Sequence, residues 1–344
     1  MIQKIKHTIT SWFWVISYSK IEKCIHYRKE KPFEHAKLPD NETIKKHFHR
    51  DNSTHYHEEF IYEFKNVIVE SECGYILENF RRIHHTTCST KNRLPSVSNY
   101  ISKKMRRKII YESACIFDAH IGNNYFHFFS DVITKLWILK KYNLDRLPLF
   151  IGQDVYYSTI FQFLISNSTI SQYNWHVLDN QHLYTITKQL FVCKPMSYDI
   201  TLWLQTLSLF KLPVLQNRRI FVYRNKNTSR YLYNTETISK ILKQYGFESI
   251  DTSNLPIREQ IRYFAESNII IGVHGAGLTN MMFACHNQPT IIEIIPENRI
   301  ACQFYWMSTM FQFNYFPILG SSIIQNEFSV DTNELEQTIL KIIT

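Results

Sequence analysis

The chain has little of what usually announces a site. Of 344 residues, eight are glycine and ten are proline. No glycine cluster has the G-x-G-x-x-G spacing of the dinucleotide fingerprint. The seven cysteines (Cys24, Cys73, Cys88, Cys115, Cys193, Cys285, Cys302) form no C-x-x-C pair. An odd count without paired spacing favours free thiols in a reducing compartment over a disulfide framework. Long apolar runs are also lacking. The N-terminal aromatic stretch from Trp12 to Ile16 is too short to span a bilayer, and no small-residue cleavage site accompanies it. Its Trp, Phe and flanking lysines suit a peripheral, interfacial contact with a membrane. The expectation is a cytoplasmic, membrane-associated protein, with a Golgi or ER-lumen protein held by a signal anchor as the alternative.

What is present is enough for real cores, with 44% apolar and 15% aromatic residues, and enough length for two domains. The net charge of +9 attracts nucleic acid, anionic membrane or phosphorylated substrates. The aromatic residues stand in core-like runs rather than beside the basic ones, so no nucleic-acid partner is expected. The basic residues are dispersed except for Lys103-Lys104-Met105-Arg106-Arg107-Lys108, read as a solvated face, with contact to lipid head groups as the functional alternative. Four N-x-[ST] sequons, at Asn41, Asn52, Asn167 and Asn227, are expected by chance in an Asn-rich chain. His47, His49, His55 and His57 form two H-x-H pairs without a nearby cysteine and read as surface histidines.

The chain divides into a basic N-terminal segment (1–58), an α/β domain (59–205), a second α/β domain (206–330) and a C-terminal helix (331–344). In the first domain, Phe60–Glu70 reads as a strand and Ala114–Phe117 as a short buried strand. Gly122-Asn123-Asn124 caps a buried helix from Tyr125 to Leu139. Leu183–Cys193 reads as an edge strand or hairpin partner. In the second, strands at Arg219–Tyr223, Phe247–Ile250, Ile269–Ile271 and Thr290–Ile295 alternate with helices at Thr235–Gln244, Pro256–Glu266 and Leu278–Ala284. That alternation implies a parallel sheet of Rossmann type.

Three stretches carry chemistry. Gly272-Val273-His274-Gly275-Ala276-Gly277 joins a strand to a helix. It is either a structural turn or a phosphate cradle, with glycines for close approach and a helix N-terminus for negative charge. Arg224-Asn225-Lys226-Asn227-Thr228-Ser229-Arg230 leaves the carboxyl end of a strand. It is either a solvated loop or a pair of arginines for a diphosphate. His127 and Asp131 share one face of a buried helix, as a core pair or as a base with its carboxylate. Glu293 lies near the end of an otherwise apolar strand, at the rim where ligands of open sheets bind.

Through these residues the chain resembles glycosyltransferase family 61, which includes plant xylosyltransferases, animal O-linked N-acetylglucosaminyltransferases and many capsular-polysaccharide enzymes. The likeness runs through Asn124–Asp131, then Phe221-Val222-Tyr223-Arg224 to Glu236, then Ile271–Asn280 with Ile292-Glu293-Ile294. It departs at Asp131-Val132-Ile133-Thr134-Lys135, where the family has a D-x-L-P-R-like run. The resemblance implies a GT-B-like α/β fold: two Rossmann-like domains facing a central cleft. It implies an inverting transferase that needs no metal or other cofactor. It moves a sugar from a nucleotide-diphosphate donor, expected to be UDP-linked, to a glycan, glycolipid or protein hydroxyl. The absence of any D-x-D agrees, because metal-dependent transferases use such carboxylates to hold a cation on the diphosphate. Arg224, Arg230, His274, Gly275, Ala276, Gly277 and Glu293 would bind the donor, with Glu293 accepting from a hydroxyl. His127 or Asp131 would be the base, and the residues leave that choice open. The rival is a non-catalytic nucleotide-sugar- or glycan-binding protein on the same fold.

Overall fold

The apolar runs of the first half meet in a single mixed sheet in a computed structural model, which describes residues 15–16, 23–71, 74, 76–78, 81–83, 107–119, 121–179, 181–214, 216–226, 229–324 and 327–343. Ten strands form this sheet among the described residues: β1 (Val15–Ile16), β2 (Lys23–Glu30), β3 (His57–Phe64), β4 (Val67–Glu70), β5 (Ile76–Glu78), β6 (Arg81–Ile83), β7 (Arg107–Asp118), β8 (Leu149–Gly152), β9 (Trp175–Leu178) and β10 (His182–Lys194). The order is β1-β6-β5-β4-β10-β7-β8-β9, with β3 also on β10 and β2 on β3. β10, β7, β8 and β9 run parallel, while β3 and β4 lie antiparallel to β10. The expected single strand Phe60–Glu70 is two, because the chain turns at Asn66 with φ 52°, a left-handed conformation that asparagine tolerates. Leu183–Cys193 is no edge. β10 pairs on both sides, and its Leu183, Tyr184, Ile186 and Leu190 are buried, as a central strand requires. Ala114–Phe117 is only the buried end of the longer β7.

The second sheet comprises β11 (Arg218–Val222), β12 (Tyr231–Leu232), β13 (Phe247–Ile250), β14 (Ser267–Val273), β15 (Thr290–Pro296), β16 (Asn314–Ile324) and β17 (Glu327–Ser329), ordered β12-β17-β16-β15-β14-β11-β13. Five are parallel: β13, β11, β14, β15 and β16. Numbered along the chain, these five stand in the order 2-1-3-4-5 of a doubly wound sheet, whose direction of winding switches between β11 and β14. The Ile-rich runs of β14 and β15 are fully covered, as parallel strands with helices on both faces must be. Helix Thr235–Gln244 ends at Tyr245, and Gly246 follows with φ 78°, the left-handed stop expected there.

The chain separates into two units, Met1–Lys29 with Glu58–Ser197 and Glu30–His57 with Tyr198–Thr344. The anticipated divisions at 58, 205 and 330 therefore shift. Residues 30–57 are not a free basic segment. Ile44 and Phe48 of helix Glu42–Thr54 are buried, Phe48 stacks on Tyr305, Phe33 stacks on Trp306, and the Asn52 side chain bridges Tyr305 and Trp306. Asn52 is thus a buried structural residue, closed to modification in the fold. His57 is half-buried, packing edge-on against Phe33, Tyr198 and Trp306. The last helix, Thr332–Ile343, belongs to the second unit through Leu335 and Ile339. Among the described residues no helix is long and apolar enough to cross a membrane. Trp12–Trp14, Lys103–Arg106 and Asn227 lie outside the described residues.

Candidate active site

The donor-site candidates come from loops at one edge of the parallel sheet. Register pairs Val222 with Gly272, and Val273 with Ile294. The residues that follow β11, β14 and β15 therefore emerge together at the carboxyl edge, beside the switch point, where ligands of such sheets bind. β11 leads into the loop bearing Arg224 and Arg230. β14 leads into His274-Gly275-Ala276-Gly277. β15 leads through Pro296 to a 3₁₀ turn at Glu297–Arg299.

Arg224 and the glycine turn are in contact. A Cβ on Gly275 would stand 2.0 Å from Arg224 Nη1, closer than any atom pair tolerates, so only glycine lets the guanidinium lie against this backbone. Arg224 Nε donates to the Ser229 carbonyl at 3.0 Å, which ties the loop back on itself. Arg230 takes φ 64°, a left-handed conformation costly for a long side chain. Its Nε is buried and has no hydrogen-bond partner among the described residues. A buried, unmatched guanidinium nitrogen is expensive unless something else meets it.

The local charge is positive. Burial lowers the Arg224 pKa and the neighbouring Arg299 charge lowers it further, against a smaller opposing effect of Asp251. Burial, then Arg224 and Arg299, push Arg230 down to about 10, against the pull of Glu293. Neither carboxylate is free to pair with these arginines. Asp251 accepts from Ser253 and Asn254. Glu293, with no exposed surface, takes one hydrogen bond from His274 Nδ1 and one from Tyr315 Oη, each at 2.5 Å. The latter pushes the Tyr315 hydroxyl well up, with burial as the larger cause. With both oxygens engaged and no exposure, Glu293 is set to orient His274 rather than to receive a ligand hydroxyl. His274 is itself 3% exposed and packs edge-on against Phe304.

The helix anticipated over Leu278–Ala284 is a nine-residue 3₁₀ helix that starts at Ala276. Leu278 through Ala284 are all buried. Tight 3₁₀ runs of this length are uncommon. At the entrance a Cβ on Gly277 would meet Thr252 Oγ1 at 2.5 Å, which brings the loop after β13 to the same turn.

The base candidates sit in the first unit. Asn124 caps the segment as expected, accepting from Phe126 and His127 N–H. The helix is not uniform: Tyr125–His127 is α, Phe128–Ile133 is π, and Lys135–Lys141 is α again. Such π turns are frequent at functional sites. Asp131 Oδ2 accepts from His127 Nδ1 at 2.7 Å and from Ser130 at 2.7 Å, while Oδ1 accepts from Ser197 at 2.6 Å. Burial pushes the Asp131 pKa up, but the three hydrogen bonds together outweigh it and the net direction is down. A carboxylate so held is a weak base. The His127 side chain is 41% exposed, and with Nδ1 donating to Asp131 its other nitrogen carries the free lone pair.

Sequence reading missed Arg299, Tyr315, Ser130 and Ser197. Arg299 was within reach, three residues past the end of a strand whose neighbours were already assigned. Ser197, 66 residues from its partner, carries no periodic signal. Among the described residues no group of three or more His, Cys, Asp or Glu gathers as a metal site.

Comparison with known proteins matches residues 125–292, 168 of 344 residues, to the family described as Glycosyltransferase 61. An alpha-1,3-arabinosyltransferase, XAT3, from Oryza sativa subsp. japonica is 29% identical over 126 residues, 36% of this chain and 21% of the relative. The matched stretch spans about a fifth of that relative's length.

Proposed function

Residues 125–292 belong to glycosyltransferase family 61, and from that premise we propose that the protein transfers a sugar from a nucleotide-diphosphate donor, UDP-linked, to an acceptor hydroxyl with inversion. The observation that carries the reading is the pair of partly desolvated arginines at the switch point, in direct ion-pair contact with no carboxylate among the described residues. Arg224 lies against a glycine turn that offers backbone N–H groups. That set neutralises a diphosphate.

In the reaction, the acceptor oxygen attacks the anomeric carbon. The bond from that carbon to the phosphate oxygen breaks, and its electron pair leaves on the diphosphate. Arg224, Arg230 and the N–H groups of the Gly275-Ala276-Gly277 turn stabilise this charge in place of a divalent cation. His274, held by Glu293 at Nδ1, meets the phosphate or sugar with Nε2. His127 takes the acceptor proton on Nε2, and Asp131 fixes its tautomer. The fold in this reading is GT-B-like.

The test is a panel of nucleotide sugars scored for nucleotide release, with UDP-pentoses included because the rice relative is named an arabinosyltransferase. At least one donor turns over in the wild-type chain and not in Arg224→Ala. Release from no donor, with UDP still bound, would favour the binding-protein reading. Equal turnover in Arg224→Ala would remove the arginine from its role.

A further inference from the structure

Three guanidinium groups share the carboxyl edge of the second sheet, and the third has no assigned work. Strand order places β14, with its glycine turn, between β11 and β15. Arg224 and Arg230 follow β11 on one flank. Arg299 follows β15 on the other, five residues past Ile294, the residue paired with Val273 at the mouth of the turn. The exposed Arg299 makes no ion pair or hydrogen bond among the described residues. The adjacent Glu297 is spent on the Ser322 backbone N–H at 2.7 Å. After burial, which is the larger cause, the Arg299 charge lowers the values of both Arg224 and Arg230, and Arg224 lowers that of Arg230. The carboxylates that act on them, Asp251 and Glu293, are already hydrogen-bonded elsewhere, so the like charges repel and an anion relieves them.

The geometry points to Arg299 as the second jaw of a diphosphate clamp, closing on the leaving phosphate from the side opposite Arg224 and Arg230. This rests on the transferase reading and adds a charge argument to it. A nucleotide-diphosphate sugar carries two negative charges on its bridged diphosphate. Breaking the sugar–phosphate bond leaves a free terminal phosphate whose second pKa is about 6, so a further charge develops as the bond opens. Two arginines balance the donor. Three match the departing group, and an interaction stronger in the transition state than in the ground state raises kcat.

The experiment compares Arg299→Ala, Arg299→Lys and Lys243→Ala, the last removing an exposed charge from the far end of helix Thr235–Gln244. Two readouts are taken: steady-state nucleotide release on a donor the wild type uses, and calorimetric binding of inorganic pyrophosphate. Arg299→Ala lowers kcat by about 10²-fold with a smaller change in KM, and weakens pyrophosphate at least tenfold. Arg299→Lys recovers part of both, and Lys243→Ala matches wild type. Arg299→Ala with wild-type kcat and pyrophosphate affinity overturns the clamp. If the wild-type chain turned over no donor, the transferase reading would fail by itself, and the pyrophosphate titration would still decide whether Arg299 belongs to the anion site.

Discussion

Substituting Gly275 by alanine isolates the contact on which the donor site is built. The backbone there is extended, with φ 160° and ψ 170°, a conformation alanine adopts without strain. The added methyl carbon would meet Arg224 Nη1 at 2.0 Å and Cζ at 3.0 Å. The clash falls on the far end of a flexible side chain, so the guanidinium swings away and the fold does not give. What breaks with it is the Arg224–Ser229 hydrogen bond, worth about 0.5–1.5 kcal/mol, so the melting temperature moves little. Turnover suffers more. Misplacing one group aimed at developing charge costs about 10²–10³ in kcat, or ~2.7–4 kcal/mol. Nucleotide release and thermal melts on Gly275→Ala, Arg224→Ala and the double variant form a cycle. If glycine acts by admitting Arg224, the double variant is no slower than Arg224→Ala alone. Fully additive losses, or wild-type turnover in Gly275→Ala, would refute the reasoning.

Other consequences follow from the buried pairs. Asp131→Asn removes the charge and turns one accepting oxygen into an NH2 donor among three donors, which unsettles the His127 tautomer, and lowers nucleotide transfer by about 10²–10⁴; unchanged kcat would show His127 is not the base. The same carboxylate sets an acid limit. Its folded pKa lies below the unfolded value of about 3.9, so its stabilisation is complete above that value and is lost as pH falls through the folded one. Below about pH 4 the wild-type melting temperature should therefore fall more steeply than that of Asp131→Asn, and parallel curves would contradict this. Tyr315→Phe strips one hydrogen bond from the fully buried Glu293 and costs about 1–3 kcal/mol by denaturant titration; an unchanged midpoint would mean that Glu293 finds another donor.

The second sheet was largely legible because each strand there announces itself locally. The runs Ile269-Ile270-Ile271 and Ile291-Ile292 are β-branched, and polar or glycine turns punctuate them. A doubly wound sheet is assembled from such units in series. The first sheet was less so, because its centre is β10, whose partners β3, β4 and β7 are far off in sequence, and an apolar strand reads the same at an edge or in the middle. The ownership of residues 30–57 was hidden for the same reason: Asn52 meets Trp306 across 254 positions, which no local pattern encodes. The site shows a similar division. Arg224, Arg230 and the glycine turn stand out because loops after parallel strands share an edge. The role of Glu293 depended on where His274 and Tyr315 point, and the weakness of Asp131 as a base on three donors, one of them from Ser197. Side-chain direction of that kind is set by packing.

The central claim is that guanidinium and backbone N–H groups, with no divalent cation, hold the departing diphosphate. An experimental structure with UDP bound in the presence of a chelator tests it most directly. The account predicts phosphate oxygens about 2.7–2.9 Å from Arg224 and Arg230, over the Gly275-Ala276-Gly277 turn. UDP seated away from these residues, or bound only when a divalent cation is restored, would contradict it.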